Sequence, residues 1–463
     1  MSAALAPPEA ARLTSRFGKR FKSLFSGRTN SGAAAQSFLI KIAVLGLNAA
    51  TSIVVARALK PAGRGEMSAM IMWPGFFAAM LTLGLPSSLT FNLRRNPEQS
   101  SSTIGAAALI TIVSGLMTGI IGFIAVPLWI TNYSALDVSY ARWMLLASPL
   151  PILLLFGRAA LEARGNFYAS NLSLWTAPVL TLLWLFILIA TGRATPLSCG
   201  IAYVASSVPP AVLLMWQVFK AYRPSLVSLS KAFRNLLHFG LRAWGIDLLN
   251  ALAVSEQVLV IHFLPPAAMG VYVVAASLAR MLSVFQTSAI IVLFPRIAAR
   301  EPREVLELTG TVFRLTTYGA GAAALIFAVL GPILLRIMYG HTYAQEGLWS
   351  FRILVAEVIV SGATQVLAQA FLALERPGSV TIIQSLGVLS GLLMMPYMIG
   401  TYGAKGAPLA LLISSLIRFT ITLTAFPRLL RLGIPRVLPN REDIQFLSAR
   451  IPWQRGAADV IQS

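Results

Sequence analysis

The chain has 463 residues, of which 57% are hydrophobic and only 11% charged, with a mean hydropathy of +0.74. A soluble domain carries roughly a quarter charged residues, so a soluble globular protein is excluded. The net charge of +21 would suggest nucleic acid in a soluble chain; here the basic residues sit at the ends of apolar runs and in short loops, not on one contiguous face, and nucleic acid is excluded as a partner.

Uncharged runs at 67–93, 99–136, 165–192, 194–219, 257–279 and 377–404 each exceed the roughly 20 residues that cross a bilayer core as a helix. The fold class expected is therefore an all-α polytopic membrane protein. Taken in order, the apolar stretches predict twelve spans, at about 37–58, 67–91, 103–128, 138–158, 168–191, 197–219, 236–261, 267–294, 309–335, 349–372, 379–400 and 406–427. They divide the chain into a basic tail (1–35), a six-helix half (36–219), a linker (220–235), a second six-helix half (236–427) and a C-terminal tail (428–463).

Residues 1–35 hold six basic residues and no apolar run long enough for a cleavable signal, so the first span is expected to direct targeting. In this tail Leu13, Phe17, Phe21 and Leu24 recur at helical spacing among Arg12, Arg16, Lys19, Arg20 and Lys22. An in-plane helix on anionic membrane lipids and a disordered basic tail are both compatible with that pattern. Of the 37 Lys and Arg residues, 24 fall on the side shared by the two tails and six on the opposite side. The positive-inside rule then puts both termini in the cytoplasm. The single cysteine, Cys199, excludes an intramolecular disulfide framework and a cysteine-based metal cluster.

Two turns echo one another. In "ARALKPAGRGEM" and "IHFLPPAAMGVY", Leu59, Pro61, Ala62 and Gly65 recur as Leu264, Pro266, Ala267 and Gly270, 205 positions later. A second echo pairs Leu161, Glu162 and Gly165 with Leu374, Glu375 and Gly378, at an offset of 213. Shared order and near-constant offset point to a duplicated six-span unit. An even number of spans per unit gives both halves the same sense in the membrane, as in transporters that rock two bundles about a central site.

Charges at depth in a bilayer cost at least about 2.5 to 3.5 kcal/mol each and so need a purpose. Arg142 and Arg314 lie close enough to a span end for their side chains to snorkel. Lys41, Arg242, Arg280, Arg352 and Arg418 are the candidates for binding a substrate diphosphate, since the basic residues outnumber the acidic ones and Arg suits phosphate oxygens. Asp247, Glu256 and Glu357 are candidates either for coupling to H⁺ or Na⁺ or for neutralising neighbouring cations. No phosphate-cradling Walker sequence, Gly-x-Ser-x-Gly elbow or paired His and Cys is present. The expectation is no enzyme, no cofactor and no metal site.

The stretches at 54–95, with its "VVARALKPAGRGEMSAMIMWPGFF", and at 255–298, with its "SEQVLVIHFLPPAAMGVYVVAASLARMLSVF", resemble spans 1–2 and 7–8 of polysaccharide flippases of the multidrug/oligosaccharidyl-lipid/polysaccharide exporter superfamily. In the second stretch Pro266, Gly270 and Tyr272 match the family's Pro-x-x-x-Gly-x-Tyr turn, and Glu256 stands where the family usually has Asp. The resemblance implies a V-shaped pair of bundles that moves an undecaprenyl-diphosphate-linked oligosaccharide across the bacterial inner membrane by alternating access, for O-antigen, capsule or exopolysaccharide assembly. It also implies a polysaccharide polymerase and co-polymerase as partners. Lipid II flippases of the superfamily typically have fourteen spans, and the twelve here speak against that branch. Two alternatives stay open: a cation-coupled multidrug exporter of the same superfamily, which the basic excess disfavours, and a membrane-bound polymerase or glycosyltransferase, which the lack of loop acids disfavours.

Overall fold

A computed structural model of the chain describes residues 30–254, 256–298 and 300–438, and among these every regular element is a helix. The basic N-terminal segment with its suggested in-plane helix lies outside the described residues, as do the side chains of Lys41, Asp247 and Glu256.

The first helix, α1 (Asn30–Met80), carries span 1 and most of span 2, with a break at Lys60 (φ 59, ψ 179). Pro61 forces it: the residue before a proline is barred from helical backbone angles, while Pro61 itself fits the first turn of the resumed helix, where no N–H is needed. A second break follows at Leu83 and Gly84, both left-handed, before α2 (Leu85–Arg95) finishes the span. Span 3 is α3 (Ser100–Trp129). Span 4 is split into α4 (Ala135–Met144) and α5 (Pro149–Ala163). A capping box starts α4: the Asp137 N–H donates to Ser134 Oγ, and the Ser134 N–H to Asp137 Oδ2, both at 3.2 Å. Span 5 is α6 (Phe167–Ala190), and span 6 is α7 (Pro196–Ala205) with α8 (Val208–Tyr222), interrupted just ahead of Pro209 and Pro210.

The described residues of span 7 are helical on both sides of residue 255, as α9 (Leu229–Val254) and α10 (Glu256–Phe263), and span 8 is split into α11 (Pro266–Ala279) and α12 (Ser283–Ile297). Spans 9 to 12 are α13 (Pro302–Met338), α14 (His341–Ala373), α15 (Pro377–Tyr402) and α16 (Gly406–Ala425). Among the described residues, nine helical segments are long and apolar enough to cross a membrane. Two of these, Ile42–Met80 and Pro377–Leu430, each contain two of the expected spans; with them counted double and span 7 added, the twelve expected spans are accounted for.

The chain forms two compact units, Met1–Ser255 with Pro265–Gly270, and Glu256–Leu264 with Val271–Ser463. The first is built on Leu85, Leu89, Ile104, Phe156, Leu214 and Leu236, with a smaller cluster of Val55, Met67, Leu185 and Cys199. The second is built on Leu293, Phe313, Val366, Phe371 and Phe426. Large apolar side chains such as Ile120, Leu128, Trp184, Ile326 and Leu393 are left exposed, as expected for helices whose solvent is acyl chains.

The echoing turns are in contact. A Cβ on Gly65 would lie 1.8 Å from the Pro266 carbonyl oxygen, and one on Gly270 would lie 1.9 Å from that of Pro61. Only glycine at both positions permits this reciprocal approach. The second echo is different. The α5 and α14 helices end in the same cap, with the Asn166 N–H donating to the Leu161 carbonyl at 2.9 Å and the Arg376 N–H to the Phe371 carbonyl at 2.8 Å, and with left-handed residues at Gly165 and Glu375. These caps are 210 positions apart, so the letters matched at an offset of 213 are three residues out of structural register.

Candidate functional site

The cations expected at depth separate by environment. Arg418, on α16, is enclosed within the second unit. Its Nη1 donates to Gln384 Oε1 at 2.9 Å and its Nη2 to Ser415 Oγ at 2.8 Å and Ser361 Oγ at 3.2 Å. Ser415 in turn donates to Glu357 Oε1 at 2.7 Å, and that carboxylate oxygen is 3.9 Å from Arg418 Nη2. The two charged side chains are 13% and 16% exposed. The Ser415 hydroxyl thus bridges a largely enclosed pair and gives both charges a polar partner. Glu357 and Arg418, read separately along the sequence, therefore meet.

Arg352 on α14 is half-buried. Its Nε donates to the Ala328 carbonyl at 3.2 Å, and its guanidinium lies 5.5 Å above the Trp349 ring. Arg314 donates to the Arg436 carbonyl at 3.1 Å and to Thr311 Oγ1 at 3.3 Å. Arg142 sits over Phe123 at 4.8 Å. Arg242, on α9 of the first unit, and Arg280, in the turn between α11 and α12 of the second, are exposed.

A different set of arginines converges in the first unit. The C-terminal ends of α2 and α5 and the first half of α6 border a cleft of about 920 Å³, lined by Ser87, Thr90, Phe91, Arg94, Arg95 and Arg158, with Glu162 and Leu174 completing its wall. Arg158 donates from Nε to the Leu154 carbonyl at 3.1 Å, leaving its terminal nitrogens for other partners. Arg94 reaches the Glu162 carbonyl at 3.5 Å. The Glu162 carboxylate is held by the Ser170 hydroxyl at 2.5 Å, and the Arg95 guanidinium lies 5.5 Å over the Phe91 ring. Three guanidinium groups against one carboxylate give the cleft a surplus of two positive charges. An anion with two negative charges and several oxygens is the ligand such a surface suits.

Counting charges by side of the membrane placed Arg94, Arg95 and Arg158 among loop cations and did not single them out. The available signal was local: the Arg94–Arg95 pair one turn after Phe91, and Arg158 one turn before Glu162. Arg64, counted as an outward loop charge, is only 7% exposed, and its Nη1 approaches Met67 Sδ at 4.0 Å. Among the described residues no group of His, Cys, Asp or Glu could hold a metal ion.

The profile of the polysaccharide biosynthesis protein family matches residues 34–300, more than half of the chain. The chain belongs to that family. No curated protein sequence matches it. Among solved structures, the lipid II flippase MurJ in an inward closed conformation is similar over 84% of this chain and 86% of its own, at 14% identity and a TM-score of 0.73. An inward-facing multidrug resistance MATE transporter of the MOP superfamily is similar over 88% and 96%, at 14% identity and a TM-score of 0.66. The Vibrio cholerae MATE transporter VcmN is similar over 87% and 98%, at 16% identity and a TM-score of 0.59. The family member described here thus has the transporter fold that these multi-pass membrane proteins share.

Proposed function

We propose that this family member is a flippase carrying a polyprenyl-diphosphate-linked oligosaccharide across the bacterial inner membrane by alternating access, with both termini in the cytoplasm. The observation that carries the reading is the arginine cleft of the first unit, whose surplus of two positive charges suits a diphosphate. Membership of a polysaccharide biosynthesis family supports a saccharide cargo. The ends of α2 and α5 that form the cleft lie on the side where positive-inside counting puts the cytoplasm, which is where a lipid-linked sugar is made and must be loaded.

In this mechanism Arg94, Arg95 and Arg158 take the diphosphate oxygens. Arg418 and Glu357 hold the second unit together and do not touch cargo. Moving about two negative charges outward across an inside-negative potential is downhill by roughly 4 to 5 kcal/mol per 100 mV. Release still requires weaker binding in the outward state, since a ligand held equally in both states shifts no equilibrium. Polymerase and co-polymerase would act on the delivered oligosaccharide. Coupling to H⁺ or Na⁺ would add to the drive and is assigned to no residue.

The test is replacement of Arg94, Arg95 and Arg158 together by Gln in the native host. Polysaccharide export should fail while lipid-linked intermediates accumulate on the cytoplasmic side, and Lys at the same positions should restore part of it. Full export by the Gln variant, accompanied by altered resistance to cationic drugs, would instead mark a multidrug exporter.

A further inference from the structure

Arg95 is an exposed cation beside two others, Arg94 and Arg158, in one cleft. Mutual repulsion should drive its flexible side chain away from them and into solvent. What holds it is the face of Phe91, one helical turn earlier, 5.5 Å from the guanidinium carbon. Phe91 is itself 38% exposed, and its ring is fixed from a different helix: Phe239 of α9 stacks on it with centroids 4.3 Å apart and planes inclined by 10°.

The stack belongs to a longer seam. Trp244 Nε1 donates to the Met80 carbonyl at 2.7 Å, freed by the break ahead of α2, and Ser88 Oγ donates to the Leu236 carbonyl at 2.7 Å. Between them Gly84 and Gly240 let the backbones meet, since a Cβ on Gly84 would lie 2.0 Å from the Gly240 carbonyl oxygen. Spaced along α9 at Leu236, Phe239, Gly240 and Trp244, these contacts follow one helical face. By sequence α9 opens the second half of the chain, yet it packs within the first unit.

From this geometry we infer that Phe239 is a positioning residue for Arg95, and that the seating of α9 on α2 completes the diphosphate-binding surface. The inference rests on the flippase reading of the cleft. The aromatic stack fixes the Phe91 ring and the cation–π contact fixes the guanidinium over it. Loss of the ladder should therefore weaken anion binding about three- to tenfold. By linkage, an anion in the cleft favours the seated form of α9 by the same factor.

The test measures binding of farnesyl diphosphate, a short polyprenyl diphosphate, to the full-length protein in nanodiscs by titration calorimetry. Phe239→Leu should weaken binding about three- to tenfold, and Phe239→Tyr, which keeps the ring, should stay within about twofold of the wild type. In an Arg95→Gln background the Phe239→Leu effect should vanish. Amide exchange across residues 236–244 should slow when the diphosphate is added to the wild type and stay unchanged in Arg95→Gln. If Arg95→Gln and Arg158→Gln weaken binding but Phe239→Leu does not, or if Phe239→Leu costs as much without Arg95 as with it, the positioning role is wrong while the cleft stands. If neither arginine variant alters binding, the cleft is no diphosphate site, and both readings fall.

Discussion

Gly65 and Pro266, far apart along the chain, meet so closely that a single added methyl on the glycine would lie 1.8 Å from the proline carbonyl oxygen. Gly270 and Pro61 repeat the arrangement in reverse. Each copy of the turn is the other's binding surface, the pattern of a two-fold related contact. Overpacking of this kind costs about 1–3 kcal/mol. Gly65→Ala and Gly270→Ala should each lower the thermal midpoint measured in one detergent. Gly75→Ala, where an added Cβ meets no atom within 4 Å, should be neutral or slightly stabilising, because alanine favours the helix by up to about 1 kcal/mol. Equal midpoints for the three variants would show that the two turns do not depend on each other.

Breaking the pair in the second unit should cost far more than replacing it. Glu357→Leu or Arg418→Met alone strands a buried charge, and the loss should be about 3–5 kcal/mol. The double variant should recover most of that, as apolar groups filling the site of a buried ion pair often do. Chemical denaturation in detergent reads the stability. Export in the native host supplies a second readout: a stable double variant should still export polysaccharide, and a stable double variant without export would make Arg418 or Glu357 part of the cargo or coupling pathway.

Glu162 lies in the wall of the arginine cleft with its carboxylate held by Ser170. Its removal should strengthen the local field. Glu162→Gln is expected to tighten farnesyl diphosphate binding on the order of threefold at low salt, and the gain should shrink as ionic strength shortens the screening length. Calorimetry at two salt concentrations checks both statements. Weaker binding by this variant would mean that Glu162 organises the arginines instead of opposing them.

The native cysteine is fully buried, so the chain offers little background for thiol labelling. Cysteines placed at Arg193 and at Asn96 lie in loops on opposite sides of the expected topology. A membrane-impermeant maleimide added to intact spheroplasts should label Arg193→Cys, and should reach Asn96→Cys only after permeabilisation. The reverse pattern would overturn cytoplasmic termini.

Helical class and span number were legible because each is written as runs of apolar residues, which need no tertiary information. The Pro61 and Pro266 turns were legible as a repeat for a physical reason: a proline fixes the break and a glycine permits the close approach, so residue type itself carries the geometry. The cap after α5 and its counterpart after α14 show the opposite case. Backbone hydrogen bonding sets their register at Gly165 and Glu375, and no shared side chain marks it, so matching letters settled three residues away. The arginine cleft was hidden because Arg94, Arg95 and Arg158 each sit at a span end, where counting assigns them to topology. Their convergence depends on how α2 and α5 pack, which no periodicity encodes. Arg418 and Glu357 were each visible as costly, but their pairing needed α14 and α16 side by side.

Gly387 carries a historical implication. A side chain there would begin 1.8 Å from Arg418 Cγ, so the long stem of the arginine occupies the volume that any larger residue at 387 would claim. Drift at the two positions can then proceed in one order only: the arginine must shorten before the glycine is free to change. Descendants that keep Arg418 should retain a bare backbone at 387, and those that have filled 387 should reveal an ancestor that had already given up the cation.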